Sequence, residues 1–175
     1  GNVRAQAIAA AAAREIADDW QRRIRTVAAA DTLVAAEQAV EFAAFRSLAA
    51  RYTAVAVDSA WARDERALRH AAARIHYDRG AAALDAGRPK AAVDEFAGVE
   101  RFVPGYADVA RLAQRASDRA LTRIAILPLR GTSSQAALGR QVADAWRSAI
   151  ARRLDERRAR FTRVVPAGEI ERTMT

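Results

Sequence analysis

Residues 75–104, IHYDRGAAALDAGRPKAAVDEFAGVERFVP, decide the fold of this 175-residue chain, because they predict two helices folded back on each other. Gly87 can adopt a positive φ and end the first helix. Pro89 is tolerated in the first turn of the second helix, where its missing N–H needs no helical partner. The residues predicted to face the partner helix are small or apolar: Gly80, Ala83, Leu84, Ala92, Val93, Phe96 and Val99. The stretch therefore predicts a tight αα-hairpin.

The sequence before this hairpin predicts helices only. Residues 3–30 predict one long amphipathic helix, and Asp31 or Thr32 can cap a second one. The apolar face of the first comprises Ile8, Ala12, Ile16, Trp20, Ile24 and Val27. The stripe of the second is Leu33, Val40, Ala44 and Leu48, with Phe42 and Phe45 flanking it. Together the two helices predict an antiparallel pair.

The segment that joins this pair to the hairpin is ambiguous. Residues 52–57, YTAVAV, alternate β-branched and smaller residues as a short strand would, but we predict a helix end or a loop. Asp58-Ser59 supplies the next helix cap. A third helix then runs from Trp61 to Gly87 without a break, so that its second half is the first helix of the hairpin.

The character of the chain changes at residue 122. Residues 105–121 predict one more helix, whereas residues 123–129 (RIAILPL) predict a buried strand ended by a proline. A loop at 130–134, a helix at 136–157, a strand at 161–165 and a final helix at 167–174 follow. Strand, helix and strand in this order predict a parallel pair, because antiparallel strands need no such crossover. The predicted fold class is therefore mainly α, with a small β-α-β-α unit at the end.

The hairpin and its continuation, residues 73–120, resemble a tetratricopeptide repeat, a helix-turn-helix unit of about 34 residues. The family's small residue falls on Gly80, its alanine on Ala92, its aromatic residue on Phe96 and its closing proline on Pro104. His76 departs from the pattern, and no second repeat is found. The resemblance implies a groove between helices that binds a protein or peptide. The alternative interpretation is an ordinary αα-hairpin with a glycine corner.

Residues 122–175 resemble the start of the periplasmic α/β domain shared by the TolB amino-terminal region and CsgG-like lipoproteins. The likeness rests on IAILPLRGTSS, LGRQVADAWRSAI and FTRVVPAGEIERTM. Two parallel strands leave open edges and little sheet. We therefore expect the chain to be a fragment of a longer protein, or a further strand to come from residues 52–57 or from a second copy in a homo-oligomer.

The composition restricts the partners. The net charge of +8 comes from arginine, since Lys90 is the only lysine, and the chain has no cysteine. Basic clusters at 22–25 and 152–160 would suit a nucleic acid. Interleaved acidic residues and the lack of an RNA-binding aromatic motif favour solvated helix faces instead. No apolar run is long enough to span a membrane, so we expect membrane attachment only through an anchor outside this sequence.

No residue pattern predicts chemistry. His70 and His76 are six residues apart on one helix and cannot form an i, i+4 metal site. The loop at 131–134 (GTSS) lacks the Gly-Lys-Ser ending of a phosphate-binding loop, and no nucleophile turn surrounds its serines. Trp20, Trp61 and Trp146 lie on apolar stripes and are predicted in the core. We expect no enzyme activity, no metal and no cofactor.

The leading hypothesis is therefore a non-catalytic protein–protein interaction scaffold of the bacterial cell envelope, with a helical domain at 1–121 and a partial α/β domain at 122–175. The resemblances imply a periplasmic or outer-membrane-associated lipoprotein or an accessory protein of secretion or assembly; a cytoplasmic location is the alternative. The candidate partner-binding residues, chosen as accessible aromatic or basic groups, are Tyr77, Arg79, Arg88, Lys90, Tyr106 and Arg111. The alternative function is a basic, nucleic-acid-associated helical protein.

Overall fold

The computed structural model of the chain describes residues 2–128, Thr132 and residues 135–174. These residues form seven α-helices and one two-stranded parallel sheet, so the fold is mainly α, as predicted. The elements are α1 (Asn2–Ala28), α2 (Thr32–Ala49), α3 (Trp61–Asp85), α4 (Pro89–Phe102), α5 (Val109–Ala120), β1 (Thr122–Ile124), α6 (Ala136–Glu156), β2 (Thr162–Val164) and α7 (Ala167–Met174).

The chain divides into two compact units. The first comprises Gly1–Gly87 and Ala91–Ala113, and the second comprises Arg88–Lys90 and Gln114–Thr175. This division follows packing, whereas the predicted domain boundary between residues 121 and 122 follows sequence character. The boundary stays a prediction.

Helices α1 and α2 form a hairpin across a three-residue turn, and Asp31 is the residue that caps α2. The side chain of Asp31 accepts hydrogen bonds from the backbone N–H groups of Leu33 (2.9 Å) and Val34 (3.1 Å). These groups have no partner within the helix, so the carboxylate supplies one. Of the two predicted caps, Asp31 is therefore the one used.

The predicted buried face of α1 is confirmed near its carboxyl end, where Ile24 is buried and Trp20 and Val27 pack against the core, but it is wrong in the first half of the helix. Ile8 and Ile16 are exposed, with 63% and 43% of their surface accessible, whereas Ala13, Ala17 and Gln21 are buried. The buried face of α2 also differs from the predicted one: Leu48 is exposed, and the buried residues are Ala35, Ala36, Ala39 and Phe42. Alanines let two helix axes come close, so small residues meet at these positions while Ile8, Ile16 and Leu48 are left outside.

The core of this first unit is built around aromatic rings. Phe42 is fully buried and meets Trp61 edge to face at 5.2 Å between ring centroids, and Trp20 stacks on the other side of Phe42 at 5.8 Å. Ala17, Ile24, Ala35 and Ala39 complete the buried cluster. Trp61 is thus in the core, as predicted.

The segment at 52–57 is a loop, as predicted, and contains no strand. Its Val55 and Val57 pack against the core. The loop is held by Gln21, whose Oε1 accepts from the Asp58 N–H (3.0 Å) while its Nε2 donates to the Ala17 carbonyl (3.1 Å). A buried amide needs such partners, which explains why a polar residue lies on the buried face of α1.

The predicted cap of α3 at Asp58-Ser59 is wrong, because the capping position is Ala60 and no side chain caps it. The Asp58 carboxylate accepts a hydrogen bond from the Ala60 N–H (3.0 Å). It also accepts two from Arg25, which donates to both of its oxygens (2.7 and 3.0 Å). Arg25 also donates to Asp64 (2.8 Å). The carboxylate therefore joins α1 to the loop before α3.

The predicted αα-hairpin is formed by α3 and α4. Gly87 adopts φ +68° at its corner and Gly105 adopts φ +72° after α4, which are backbone conformations that glycine tolerates best. Every residue predicted to face the partner helix is buried: Gly80, Ala83, Leu84, Ala92, Val93, Phe96 and Val99.

In the second unit, β1 and β2 pair in parallel, with Thr122 opposite Thr162 and Ile124 opposite Val164. The predicted parallel pair is confirmed, but β1 is shorter than predicted and is not buried: residues 125–128 have no regular structure, and Leu127 is 53% exposed. Leu129 lies outside the described residues, as does the predicted loop at 130–134 apart from Thr132. A sheet of two strands is too narrow to bury an apolar run.

Helix α6 packs against β2, and its buried residues are small. Gly139 and Ala143 are its buried residues, whereas Trp146, predicted in the core, is 57% exposed and Leu138 is 60% exposed. The prediction for Trp146 is therefore wrong. As in α1, the residues with the smallest side chains make the closest contact, and the larger Trp146 is left at the surface.

Candidate protein-binding site

The α3–α4 hairpin is packed too closely for a side chain at either of its central glycines. A Cβ atom at Gly80 would lie 2.6 Å from Cε1 of the fully buried Phe96, and one at Gly98 would lie 2.8 Å from Nδ1 of His76. Real Cβ contacts are essentially never that short. The closeness of the two helices therefore depends on glycine at both positions.

His76 and His70 have different surroundings on α3. The His76 Nδ1 lies 2.7 Å from the Glu95 Oε2, and the His76 ring stacks on Phe102 with 5.7 Å between centroids. His70 is exposed and lies 6.2 Å from the Tyr106 ring. The first is thus a packing residue and the second a surface residue, as expected for two histidines six residues apart.

Three of the predicted partner-binding residues meet around Asp108, at the junction of α3 with the turn before α5. The Tyr77 hydroxyl donates to Asp108 Oδ1 (2.6 Å), Arg111 donates to Oδ2, and the Tyr106 ring lies 5.9 Å from the Tyr77 ring. Hydrogen bonds from Tyr77 and Arg111 lower the pKa of Asp108, and the bond to Asp108 raises the pKa of Tyr77.

Tyr77 and Tyr106 are consequently not the freely accessible aromatic residues that the sequence suggested. Both are half-buried, and the phenol of Tyr77 already has a partner. A buried or half-buried tyrosine usually donates its O–H to a nearby acceptor within the protein, so this hydroxyl is not available to a ligand. Arg111 is exposed but paired with Asp108.

The other three predicted residues are exposed. Arg79 lies on α3, and Arg88 follows the corner residue Gly87. Lys90, within the second unit, has its Nζ 5.8 Å from the centroid of the Phe161 ring. Arg88 and Lys90 thus belong to the second unit, whereas the group around Asp108 belongs to the first.

The first unit has instead a cleft of about 340 Å³ between the first half of α3 and the end of α4. It is open to solvent, with polar residues on one wall and apolar residues on the other. The polar wall consists of Glu65, Arg66, Arg69 and His70, and the remaining lining residues are Ala62, Phe102, Val103 and Pro104. A cleft of this kind suits a ligand that combines an anionic group with an apolar one.

Two arginines share the Glu65 carboxylate of the polar wall: Arg69, which lines the cleft, and Arg46, which does not. Arg46 and Arg69 donate to opposite oxygens of the Glu65 carboxylate, at 2.5 and 2.6 Å. The Nε atoms of both arginines are buried and make no hydrogen bond in the part of the chain that the structure describes. One carboxylate thus serves two guanidinium groups, which leaves donors in excess of acceptors.

The residues of the polar wall were not among those predicted from the sequence, although a local signal for them exists. Glu65 and Arg69, and likewise Arg66 and His70, are four residues apart and so lie on one helix face. The contribution of Arg46 comes from α2 and is not visible in any local pattern.

The second unit has a cleft of about 350 Å³ at the carboxyl side of its strands, the edge where α/β folds commonly bind ligands. Arg147 is held there by donating to the Ile126 carbonyl and to Asp144 Oδ1, both at 2.5 Å. The charged residues that line this cleft are two arginines, Arg140 and Arg147, and two acids, Asp144 and Glu171. Because its charges balance, the cleft defines no ligand class.

Neither a metal cluster nor a membrane span is found in the described residues. No group of three or more His, Asp or Glu side chains there is arranged to hold a metal ion. Residues 2–128, 132 and 135–174 also include no helix long and apolar enough to cross a membrane.

No protein-family model matches the chain, and neither a curated protein nor a solved structure is detectably similar to it. The resemblances to a tetratricopeptide repeat and to the TolB/CsgG-like domain therefore stay predictions.

Proposed function

We propose that the protein is a non-catalytic protein–protein interaction scaffold, in which the cleft between α3 and the end of α4 receives an acidic, partly apolar segment of a partner. The observation that carries the proposal is the lining of that cleft, where Arg66, Arg69 and His70 face Phe102 and Val103. A guanidinium group and a carboxylate form a charge-assisted hydrogen bond, and the apolar wall buries a neighbouring side chain.

The two resemblances add the setting of the proposal. A tetratricopeptide-like hairpin followed by a TolB/CsgG-like unit implies the bacterial cell envelope, as part of a periplasmic or outer-membrane-associated lipoprotein or of a secretion or assembly accessory protein. This proposed location follows from the sequence resemblances of residues 73–120 and 122–175.

A peptide array tests the proposal. Nonapeptides that pair Asp or Glu with Leu, Phe or Trp should bind the wild-type protein, and peptides with Lys in place of the acidic residues should not. The Arg66→Ala variant should weaken binding about five- to tenfold, since one charge-assisted hydrogen bond is lost. Arg63→Ala is the matched control: Arg63 lies on the same helix, is exposed and does not line the cleft.

Two results would count against the cleft. If no acidic peptide binds, the proposed partner class is wrong. If Arg79→Ala or Arg111→Ala weakens binding while Arg66→Ala does not, the partner uses the residues chosen from the sequence instead. Circular dichroism of each variant verifies that the helices are intact.

A further inference from the structure

The net charge of the protein resides in its second unit. By sequence that unit has fifteen Arg and Lys residues against six Asp and Glu, a net charge of +9. The first unit has fourteen against fifteen, a net charge of −1. A general excess of arginine along the chain would have spread the charge over both units. The segregation therefore indicates that the second unit meets an anionic partner.

Helix α6 of this unit exposes an apolar stripe that leads into basic residues. Leu138 and Trp146 are 60% and 57% exposed, and the half-buried Val142 lies between them at four-residue spacing. Arg153 follows seven residues after Trp146. At 3.6 residues per turn, these four side chains fall within about 80° of the helix circumference, so they share one face, here named the α6 stripe.

The arginines at the end of α6 are available to a partner. Arg152 and Arg157 are exposed and make no ion pair in the described part of the chain. Arg153 lies 4.0 Å from Glu156, at the outer limit of a salt bridge, and its side chain is 73% exposed. Such a contact is weak in water, and it leaves the Arg153 guanidinium accessible.

We propose that the α6 stripe binds the surface of an anionic lipid bilayer. Trp and Leu side chains enter the boundary between headgroups and acyl chains, and arginines bind the lipid phosphates. A lipid surface uses both halves of the stripe, whereas a nucleic acid would use the arginines and the Trp146 ring but leave Leu138 without a complementary contact. A second copy is disfavoured, because it would bring another unit of charge +9 against the first.

Attachment through the α6 stripe differs from the sequence-based expectation of an external anchor, which followed from the lack of a long apolar run. Trp146 was predicted in the core, and its exposure makes this second mode of attachment available. Binding by the stripe is peripheral, reversible and dependent on salt, since it combines a small apolar area with screened charge attraction.

Co-sedimentation with vesicles tests the proposal on the whole chain. Vesicles of equal parts phosphatidylcholine and phosphatidylglycerol should bind the protein at 0.1 M NaCl, and pure phosphatidylcholine vesicles should not. Raising NaCl to 0.5 M should weaken binding at least about tenfold, because the charge attraction is screened. On binding, the emission of Trp146, obtained as the difference between wild type and Trp146→Phe, should shift to shorter wavelength.

Matched variants identify the surface. Arg152→Gln/Arg153→Gln should weaken vesicle binding about thirtyfold, following the contribution of each arginine near an anionic surface. Arg22→Gln/Arg23→Gln, an equal loss of charge on exposed residues of the first unit, should leave it unchanged. Trp146→Ala should also weaken binding, and its fold is verified by circular dichroism.

Three results would overturn the proposal: no binding to the anionic vesicles; equal losses in the two arginine pairs; or tighter binding to a 20-base-pair DNA duplex than to vesicles, unaffected by Trp146→Ala. The last result would indicate that the basic residues of the second unit bind a nucleic acid. If Trp146→Ala does not fold, the two arginine pairs still decide between these outcomes.

Discussion

Single residues set the closest contacts of this protein. Gly80 packs its Cα against the Phe96 ring, and no larger residue fits because Phe96 is itself fully buried and cannot move aside. The favourable term is the burial of the ring, which is worth about 2 kcal/mol for a large apolar side chain. The glycine has a cost of about 1 kcal/mol in helix propensity. The contact is therefore stabilising only because the helices approach closely.

We expect Gly80→Ala to destabilise the first unit by about 1–3 kcal/mol, through overpacking against Phe96. Urea denaturation measures the change. Gly168→Ala is the control, since Gly168 lies in α7 with no atom within 4 Å of the added Cβ; its effect should be neutral or slightly stabilising. A double variant with Phe96→Leu should recover part of the Gly80→Ala loss, because the pair is in contact. Additive losses would show that the two positions are not coupled.

The Asp58 carboxylate links stability to pH. Hydrogen bonds from Arg25 hold its pKa below the ordinary value, so folding favours the ionised form. Its contribution to stability is complete above the unfolded pKa of about 3.9 and is lost as pH falls through the lower folded value. We expect Asp58→Asn to be less stable than wild type at pH 7, and the two to converge as the pH falls below about 4.

Urea denaturation at pH 7, 4 and 2.5 follows this difference in the free energy of unfolding. Asp18→Asn is the control, because Asp18 is exposed on α1 and forms no ion pair in the described part of the chain. A constant gap between Asp58→Asn and wild type at every pH would show that the Arg25–Asp58 contact does not depend on the carboxylate charge.

At the scale of elements, corners and caps place the helices. The α3–α4 corner is set by Gly87 at φ +68°, with Pro89 opening α4, and the α1–α2 corner by the Asp31 cap. Both are local signals that the sequence shows directly. The cleft proposed as a binding site depends on the first of them, since it lies between α3 and the end of α4.

Gly87→Ala should destabilise the first unit by about 1 kcal/mol, because an alanine tolerates positive φ less well than glycine. No atom lies within 4 Å of the added Cβ, so the effect is conformational and not steric. Thermal unfolding measures it. Asp31→Ala should cost a similar amount, about 1 kcal/mol, through loss of the cap. If Gly87→Ala proves neutral, the corner does not require glycine.

At the scale of the whole molecule, the two units differ in charge rather than in helix content alone. The second unit, at +9, repels itself, whereas the first, at −1, is nearly neutral. Self-repulsion destabilises a compact state and is weakened by salt. The same charge that suits an anionic partner therefore lowers the stability of the unit that bears it.

Raising NaCl from 0.05 to 0.5 M should accordingly increase the protection of backbone amides in α6 and β2 from hydrogen exchange, and change that of α2 and α3 little. Mass spectrometry of peptides from each unit measures the hydrogen exchange of the two units in one sample. Equal changes in the two units would show that their difference in charge has no effect on stability. Potassium glutamate in place of NaCl separates screening from specific chloride binding.

The sequence alone determined the elements of this protein, the hairpin corner at Gly87 and the parallel strand pair, because caps, glycines and helical periodicity act over a few residues. It also determined the facing residues of the α3–α4 hairpin, but not which faces of α1, α2 and α6 are buried. Ile8, Ile16, Leu138 and Trp146 lie on apolar stripes by periodicity, yet they are exposed, while Ala17, Ala39 and Ala143 are buried. Only the tertiary structure decided which of these residues are buried, because close packing favours the faces with the smallest side chains. The hydrophobicity of a stripe does not determine how closely a neighbouring element packs against it.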